Sequence, residues 1–379
     1  MKAVYFGTYR AEYSRNKIMI AGLRAAGVEV LECHEPLWHG IEDRVQAASG
    51  GWTSLRFMGR LLRAYLRLLW RGIHLPDYDV LICGYPGQLD VFLARLLSKL
   101  RGRPLVWDVF MSIYLIAIER QLDQKGRCTV SLLRWVERLA LRLPDRLIQD
   151  TSQYVDWLAQ THAILIERFR LVPTGADDRV FHPIDSDPGT QPFTILYYGT
   201  FIPNHGVPSI IEAALCLKNE PGLRFELVGE GPEKGHCQEL TRLYELDSVI
   251  FLPWMAQADL VWHMTQADLC LGAFGHTPQS MMTVQNKIYE GLAVGRPVIT
   301  GDSPAARQAL EHGVSAWLCD RNHPESLAEA IHTLRADPVL RGKIGKAGKE
   351  LFERQYSIER LGERFCQHLE EVCNSQPRL

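Results

Sequence analysis

Lys287 and Glu290 stand three residues apart in Thr283-Val284-Gln285-Asn286-Lys287-Ile288-Tyr289-Glu290-Gly291-Leu292-Ala293-Val294-Gly295-Arg296-Pro297-Val298-Ile299. The pattern predicts a helix that starts just after a loop at 275–280, ends at Gly295 and leads through Pro297 into a strand. Amides at a helix start, together with the Lys287 ammonium, can hold a diphosphate. One turn deeper, the Glu290 carboxylate can accept two hydrogen bonds from the cis-diol of a ribose. The competing arrangement is a surface ion pair, although lysine preceding glutamate at i,i+3 is the weaker order on a helix.

A second constellation is Val228-Gly229-Glu230-Gly231-Pro232. Its glycines let backbone approach a phosphate, and its proline suits a first helical turn. A turn that needs positive φ also accounts for the same glycines. The spacing departs from the dinucleotide fingerprint, and Leu252 is followed by Pro253-Trp254 where an acidic residue would be needed. A nicotinamide dinucleotide is therefore not expected.

These residues must be positioned by strands, and an internal echo shows how. Val4-Tyr5-Phe6-Gly7-Thr8-Tyr9 opens the chain, and Leu196-Tyr197-Tyr198-Gly199-Thr200-Phe201 repeats its form. Each apolar run ends in Gly-Thr-aromatic and leads through a polar loop into a helix pattern (17–26; 207–218) and a second strand (28–33; 224–228). Such a βαβ unit implies a right-handed crossover and a parallel sheet. Meeting it twice implies an α/β protein of two Rossmann-like domains facing across a cleft. Further strands are expected at 80–83, 105–109, 147–149 and 171–172, then at 249–252, 269–273, 298–300 and 316–318. The linker-like stretch Pro183–Pro192 sets the domain limits at 1–185 and 192–356. A last helix within 357–379 is then free to cross back and brace the pair.

Ligands of open parallel sheets bind beyond the carboxyl ends of the strands. Asp108 ends one of them in Trp107-Asp108-Val109-Phe110-Met111-Ser112-Ile113-Tyr114. It can orient an acceptor hydroxyl or a donor sugar, or it can N-cap the next helix. Tyr9, Arg10, Arg15 and Asn16 occupy the loop after the first strand, where Arg15 can meet an acceptor phosphate; Tyr114 joins them. Asp150-Thr151-Ser152 reads as an N-cap.

The 379 residues, 46% of them hydrophobic, exceed one ordinary core and exclude disorder. No apolar run is long enough to span a bilayer, and the N-terminal stretch is too short for a signal peptide. Nine cysteines without a Cys-x-x-Cys pair read as small buried hydrophobes in a reducing cytoplasm, with no metal expected. Residues 1–183 carry 25 Lys and Arg against 19 Asp and Glu; the remainder carries 17 against 25. A basic first half suits an anionic membrane surface or phosphorylated lipid, while the scarcity of basic runs argues against nucleic acid. Arg56, Arg60, Arg63, Arg67 and Arg71 form one helical face beside Trp70 and several leucines, suited to such a membrane. A second ladder, Arg134, Arg138, Arg142 and Arg146, reads as the solvated edge of a core-facing helix.

Glu290-Gly-Leu-Ala-x-Gly-x-Pro-Val-Ile, Val-Gly-x-Gly-Pro at 228–232 and Gly199-Thr200-Phe201-Ile202-Pro203-Asn204-His205-Gly206 together resemble glycosyltransferase family 4, of the GT-B fold. The resemblance runs from about residue 193 to the chain end. It implies retaining transfer of a hexose-type sugar from a nucleotide sugar, with UDP favoured, as substrate and without a metal or tightly bound cofactor. The donor would lie on the second domain, touching Gly199, Thr200, Gly229, Gly231, Trp254, Met255, Gly275, His276, Thr283, Asn286, Lys287 and Glu290, with the first domain's Gly7 turn added. The acceptor, lipid-linked or a polysaccharide precursor, would lie on the first domain. Asp108, His205 and Lys287 are the expected catalytic groups. Where many members carry an earlier glutamate this chain has Met282, and Thr200 and His205 stand where an Arg and a Lys commonly clamp the diphosphate. The clamp then falls largely to Lys287, with His205 contributing charge if protonated and a neutral donor if not. A nucleotide-sugar epimerase on the same fold and a catalytically silent sugar-nucleotide binder are the alternatives. The expected location is the cytoplasm, peripheral to the inner face of the plasma membrane.

Overall fold

The computed structural model describes residues 1–37, 55–120, 127–184 and 192–375. The chain forms two compact units, Met1–Pro173 with Ile358–Leu379, and Thr174–Ser357. The expected linker residues 185–191 lie outside the described residues.

The first unit runs β1 (Lys2–Gly7), α1 (Ser14–Ala25), β2 (Glu29–His34), α2 (Leu55–Ile73), β3 (Val80–Cys83) and α3 (Asp90–Arg101). It continues with β4 (Leu105–Asp108), α4 (Ile113–Glu119), α5 (Arg127–Arg142), β5 (Arg146–Gln149), α6 (Ser152–His162) and β6 (Phe169–Leu171). Its six strands are parallel in the order β2-β1-β3-β4-β5-β6. Helices cover both faces, so the strands are apolar runs; Val80, Leu81, Ile82 and Cys83 of β3 are all fully buried.

The second unit runs β7 (Phe193–Tyr198), α7 (Val207–Cys216), β8 (Leu223–Val228), α8 (Lys234–Leu243), β9 (Val249–Leu252), α9 (Gln257–Gln266) and β10 (Leu269–Leu271). There follow α10 (Pro278–Met282), α11 (Asn286–Val294), β11 (Val298–Gly301), α12 (Pro304–Ala309), β12 (Trp317–Cys319), α13 (Pro324–Ala336) and α14 (Pro338–Gln355). This sheet is also six-stranded and parallel, ordered β12-β11-β10-β7-β8-β9. The echoed strands hold equivalent places. β1 lies between β2 and β3, and β7 between β8 and β10, so the strand order reverses beside each. Gly7 and Gly199 thus end the strands at the two topological switch points, where ligands of this architecture bind.

The last helix, α15 (Ile358–Asn374), belongs to the first unit and packs along α1. Ile358, Leu361, Phe365, Leu369 and Val372 join Ile18, Met19 and Leu23 in one core. The crossing is a glycine-on-glycine contact. A Cβ on Gly22 would come within 3.0 Å of the Gly362 Cα, and one on Gly362 would overlap the Gly22 carbonyl.

Helix α2 turns Ala64 and Leu68 inward and leaves Met58, Leu62, Leu66, Trp70 and Ile73 exposed. Arg60, Arg63 and Arg67 are exposed as well. Arg71 departs from the expected free cationic face: Nη1 donates to the His34 carbonyl (2.7 Å) and to Glu35 (3.0 Å). The Arg56 side chain lies outside the described residues. The second arginine ladder is not one helical face. Leu143-Pro144 ends α5 after Arg142, and Arg146 opens β5. Of the nine cysteines five are buried, whereas Cys128 and Cys216 are exposed and Cys366 and Cys373 partly so. No helix among the described residues is long and apolar enough to cross a membrane.

Gly362→Leu is expected to force α15 off α1 and to cost about 1–3 kcal/mol or more. Thermal melts of the variant check this, and an unchanged Tm would show that the two helices have room to spare.

Candidate functional site

Lys287 lies in the first turn of α11, a helix whose Gln285 N-cap makes no side-chain cap bond and so leaves helix-start amides open. The side chain is 6% exposed. Its Nζ packs 4.0 Å from the Tyr197 ring centroid and would lie 2.8 Å from a Cβ on Gly199. Among the described residues it has no ion-pair partner within salt-bridge distance. Burial therefore pulls its ammonium down to about 7, against the smaller opposing effect of Glu290. Glu290, one turn on and partly exposed, is pushed the other way, up to about 7, again by burial. A hydrogen bond from Tyr198 and the Lys287 charge oppose that rise. The Tyr198 hydroxyl also donates to the Lys287 carbonyl (3.0 Å), tying β7 to α11.

His205 completes this cluster. Its Nδ1 lies 2.6 Å from the Thr200 carbonyl, 3.0 Å from the Tyr197 hydroxyl and 3.3 Å from Lys287 Nζ. A carbonyl can only accept, so the proton sits on Nδ1 and Nε2 keeps its lone pair. Burial, then the Lys287 charge, holds the imidazole well below its ordinary range. Of the two roles open to His205 from sequence, this shift opposes the charged one, and with Nδ1–H spent on Thr200 the neutral ring has no second N–H to donate.

The glycine question of the sequence is answered by close backbone approach. A Cβ on Gly229 (φ 136°) would overlap the Gly199 carbonyl, and one on Gly231 would lie 2.5 Å from the Phe201 carbonyl. The turns after β7 and β8 can nest only because both lack side chains. Gly275 packs equally closely on the loop at 203–204, and Arg321 Nη1 donates to its carbonyl (2.7 Å). Arg321 was not anticipated; it reaches the site from the loop after β12, about 30 residues beyond the motif in sequence. His276 and Trp254 are exposed, Met255 packs on the core beneath β7, and Thr283 Oγ1 donates to the Gln279 carbonyl (2.9 Å). Asn286 and Thr200 are partly exposed.

In the first unit the expected groups are arranged differently. Asp108 and Arg15 are both fully buried and face each other: Arg15 Nε donates at 2.9 Å and Nη2 at 2.8 Å to the carboxylate. Arg15 Nη1 donates to the Val172 and Pro173 carbonyls. Neither group is left to meet a substrate. Asn16 is equally occupied, accepting from Tyr5 and the Tyr85 amide and donating to the Arg10 and Tyr85 carbonyls. Tyr9 is buried with its hydroxyl on Glu32 (2.8 Å). Arg10 and Tyr114 keep partial exposure, Arg10 over the Tyr13 ring and Tyr114 beneath Arg134. The Gly7 turn already holds a carboxylate, because Asp90 accepts from the Thr8 amide (2.7 Å) and from Tyr65 (2.6 Å). Burial raises Asp90 to about 6. A diphosphate is poorly suited to that turn.

Thr151 N-caps α6, accepting from the Tyr154 amide, as the reading of Asp150-Thr151-Ser152 expects. Asp150 Oδ1 and the neighbouring Gln149 Nε2 are buried without hydrogen-bond partners, at the carboxyl end of β5. Burial raises Asp150 to about 7, with Arg15 opposing. An orphaned acceptor and an orphaned donor can each be satisfied by a hydroxyl group.

Two family models match the chain: one described as glycosyl transferases group 1 over residues 192–337, the other as a glycosyl transferase 4-like domain over residues 16–175. Among curated relatives, the lipopolysaccharide core biosynthesis glycosyltransferase LpsD of Rhizobium meliloti is 28% identical over 166 residues, covering 44% of this chain and 46% of that one. An alpha-D-kanosaminyltransferase of Streptomyces kanamyceticus is 22% identical over 292 residues, 74% of each chain. The chain thus spans about half the length of the first and most of the second. Among solved structures, HepE of Anabaena in complex with UDP superposes with a TM-score of 0.73 at 15% identity, covering 98% of this chain and 99% of that one. Sucrose-phosphate synthase of Thermosynechococcus elongatus gives 0.71 at 16% identity, 99% of each. These superpositions show the shared fold.

Because Tyr198 and Lys287 both hold the Glu290 carboxyl down against burial, Tyr198→Phe and Lys287→Met are each expected to raise it further above 7. Carboxyl carbon NMR titration reads this directly; an unmoved Glu290 in both variants would show that it is set from elsewhere.

Proposed function

The chain belongs to the GT-B glycosyltransferases of the family 4 type, and we propose that it moves a hexose-type sugar from a UDP-sugar to a lipid-linked or polysaccharide-precursor acceptor. The observation that carries this reading is the desolvated Lys287 at the open start of α11, one turn ahead of Glu290. An anion arriving at Lys287 restores the charge that burial suppresses, while ionised Glu290 accepts from a ribose diol. HepE, of the same fold, was solved with UDP, with UDP and glucose, and with UDP-glucose, and LpsD is named for lipopolysaccharide core synthesis. Both support the donor and acceptor classes.

Cleavage of the sugar–diphosphate bond develops an oxocarbenium-like sugar and a negative leaving oxygen. Lys287 and the α11 amides stabilise that oxygen more as charge grows on it. The diphosphate leaves without prior protonation. It can take the proton of an acceptor hydroxyl that attacks from the same face, so configuration is retained without a protein nucleophile. His205, with Nδ1–H held by Thr200, stays neutral and supplies no charge to the site. On the first unit, Asp150 and Gln149 hold the acceptor hydroxyl in place of Asp108, which is locked in its ion pair.

The same reading places the enzyme at the cytoplasmic face of an anionic membrane. Its support is α2, where exposed Leu62, Leu66 and Trp70 run beside exposed Arg60, Arg63 and Arg67 with no acidic residue from Arg44 to Pro76. Helix α3, packed beside α2 where Gly72 meets Leu97, adds exposed Phe92, Leu96 and Leu100.

Incubation with UDP-hexoses and extracted envelope lipids is expected to yield UDP and a glycolipid. An isomerised donor or binding alone would overturn transfer. Lys287→Ala is expected to lower kcat by about 10²–10³, as loss of an oxyanion donor does, and Glu290→Ala to abolish donor binding. Donor affinity in the wild type should peak near pH 7. Below it Glu290 gains the proton that spoils its acceptance; above it Lys287 loses the charge that attracts the diphosphate. Calorimetry with a UDP-sugar, whose esterified diphosphate does not titrate there, would expose a flat profile as contrary evidence. For the membrane, replacing Leu62, Leu66 and Trp70 by serine should reduce sedimentation with anionic vesicles severalfold, and unchanged sedimentation removes that surface from the account.

A further inference from the structure

Four arginines from four places in the chain meet in one pocket of about 400 Å³ on the first unit. Arg95 comes from α3, Arg142 ends α5, Arg146 opens β5, and Arg168 lies just before β6. Asp145 is the acidic residue in the lining. Its carboxylate is already committed, to Arg95 through two bonds (3.0 and 3.2 Å) and to the Leu105 amide (2.8 Å). Among the described residues that line the pocket, one carboxylate faces four guanidiniums, and the next acid to feel Arg146, Glu371, is bonded to Arg170.

Backbone carbonyls fix these side chains without neutralising them. Arg168 Nη2 donates to the Pro144 and Arg142 carbonyls, and Arg146 Nη1 to the Asp145 carbonyl (3.0 Å). Arg146 Nε is buried and has no hydrogen-bond partner. Fixed guanidiniums with spare donors match the geometry and charge of phosphate oxygens, which arginine binds through forked contacts. The volume falls in the range of small-ligand pockets, roughly 300–1,000 Å³. Arg142 and Arg146 are the end of the second arginine ladder in the sequence, which the transfer reaction does not use.

We propose that this pocket binds a phosphate group. It lies by the amino ends of β4 and β5, where Asp145 bonds Leu105, whereas Asp150 and Asp108 sit at the carboxyl ends. The site is therefore at the opposite end of the sheet from the acceptor groups of the same unit. The phosphate is either that of a soluble phosphate ester or that of a lipid headgroup.

The test uses the full chain saturated with UDP, so that the donor cluster is filled. Calorimetric titration with pyrophosphate is expected to show one saturable site. Arg142→Gln, which alters an exposed side chain at a helix end, should weaken it about tenfold, the loss of one charge-assisted hydrogen bond. Arg142→Gln with Arg146→Gln should abolish it, while UDP affinity and the circular dichroism spectrum stay unchanged. Vesicles of phosphatidylcholine with and without phosphatidic acid form the second arm. Binding that the double variant loses only on phosphatidic acid vesicles assigns the phosphate to a headgroup; loss only with pyrophosphate assigns it to a soluble ester. Absence of saturable binding in both arms, or equal binding by wild type and double variant, overturns the proposal.

Discussion

An ammonium group taken out of water without a carboxylate at ion-pair distance is the constraint around which the second unit is organised. Lys287 is 6% exposed, and desolvation alone disfavours its charged form. The aromatic face of Tyr197 and the missing side chain of Gly199 make room for its Nζ. The open amides of α11 point positive charge into the same space. The turns that frame it can approach one another only through Gly199, Gly229 and Gly231. Such a site is poised for an anion, because the ligand relieves a cost that folding has already incurred.

The first unit treats the same residue types in the opposite way. Arg15 and Asp108 form a closed pair, fully buried, with the remaining guanidinium donors spent on Val172 and Pro173. A buried pair of this kind adds little net stability but is costly to break, so it specifies an arrangement. Here it joins α1, the end of β4 and the segment after β6. Glu137 acts similarly, accepting from Ser112 (2.5 Å) and the Ile113 amide (2.8 Å), which fixes the chain that follows Asp108. With these cations and carboxylates internally matched, Asp150 Oδ1 and Gln149 Nε2 at the carboxyl end of β5 are left without partners.

The charge division of the chain has a structural counterpart. The excess of arginine in the first half is placed on α2, where Glu35 meets Arg67 and Arg71, and in the pocket beneath β4 and β5, where Asp145 meets Arg95. Charges so placed act on partners rather than on folding, since exposed or unpaired arginines contribute little to stability.

Periodicity and glycine spacing were enough to locate twelve strands, the doubled βαβ unit and the helix bearing Lys287 and Glu290. These are local patterns, and parallel strands covered on both faces announce themselves as short apolar runs. The side-chain partnerships were not legible. Asp108 looks like a cleft carboxylate until Arg15, 93 residues earlier, is found against it. Asp90 bonds a turn 82 residues before it, and Arg321 supports a loop 46 residues earlier. Nor does a one-dimensional ladder of arginines reveal that the helix ends at Arg142, that Arg146 opens a strand, and that both meet Arg95 and Arg168. The order of residues determined which elements form and where backbone must come close. Which charges are paired, and which are left unmatched and available, was decided only by the packing that brings distant segments within reach and excludes water from between them.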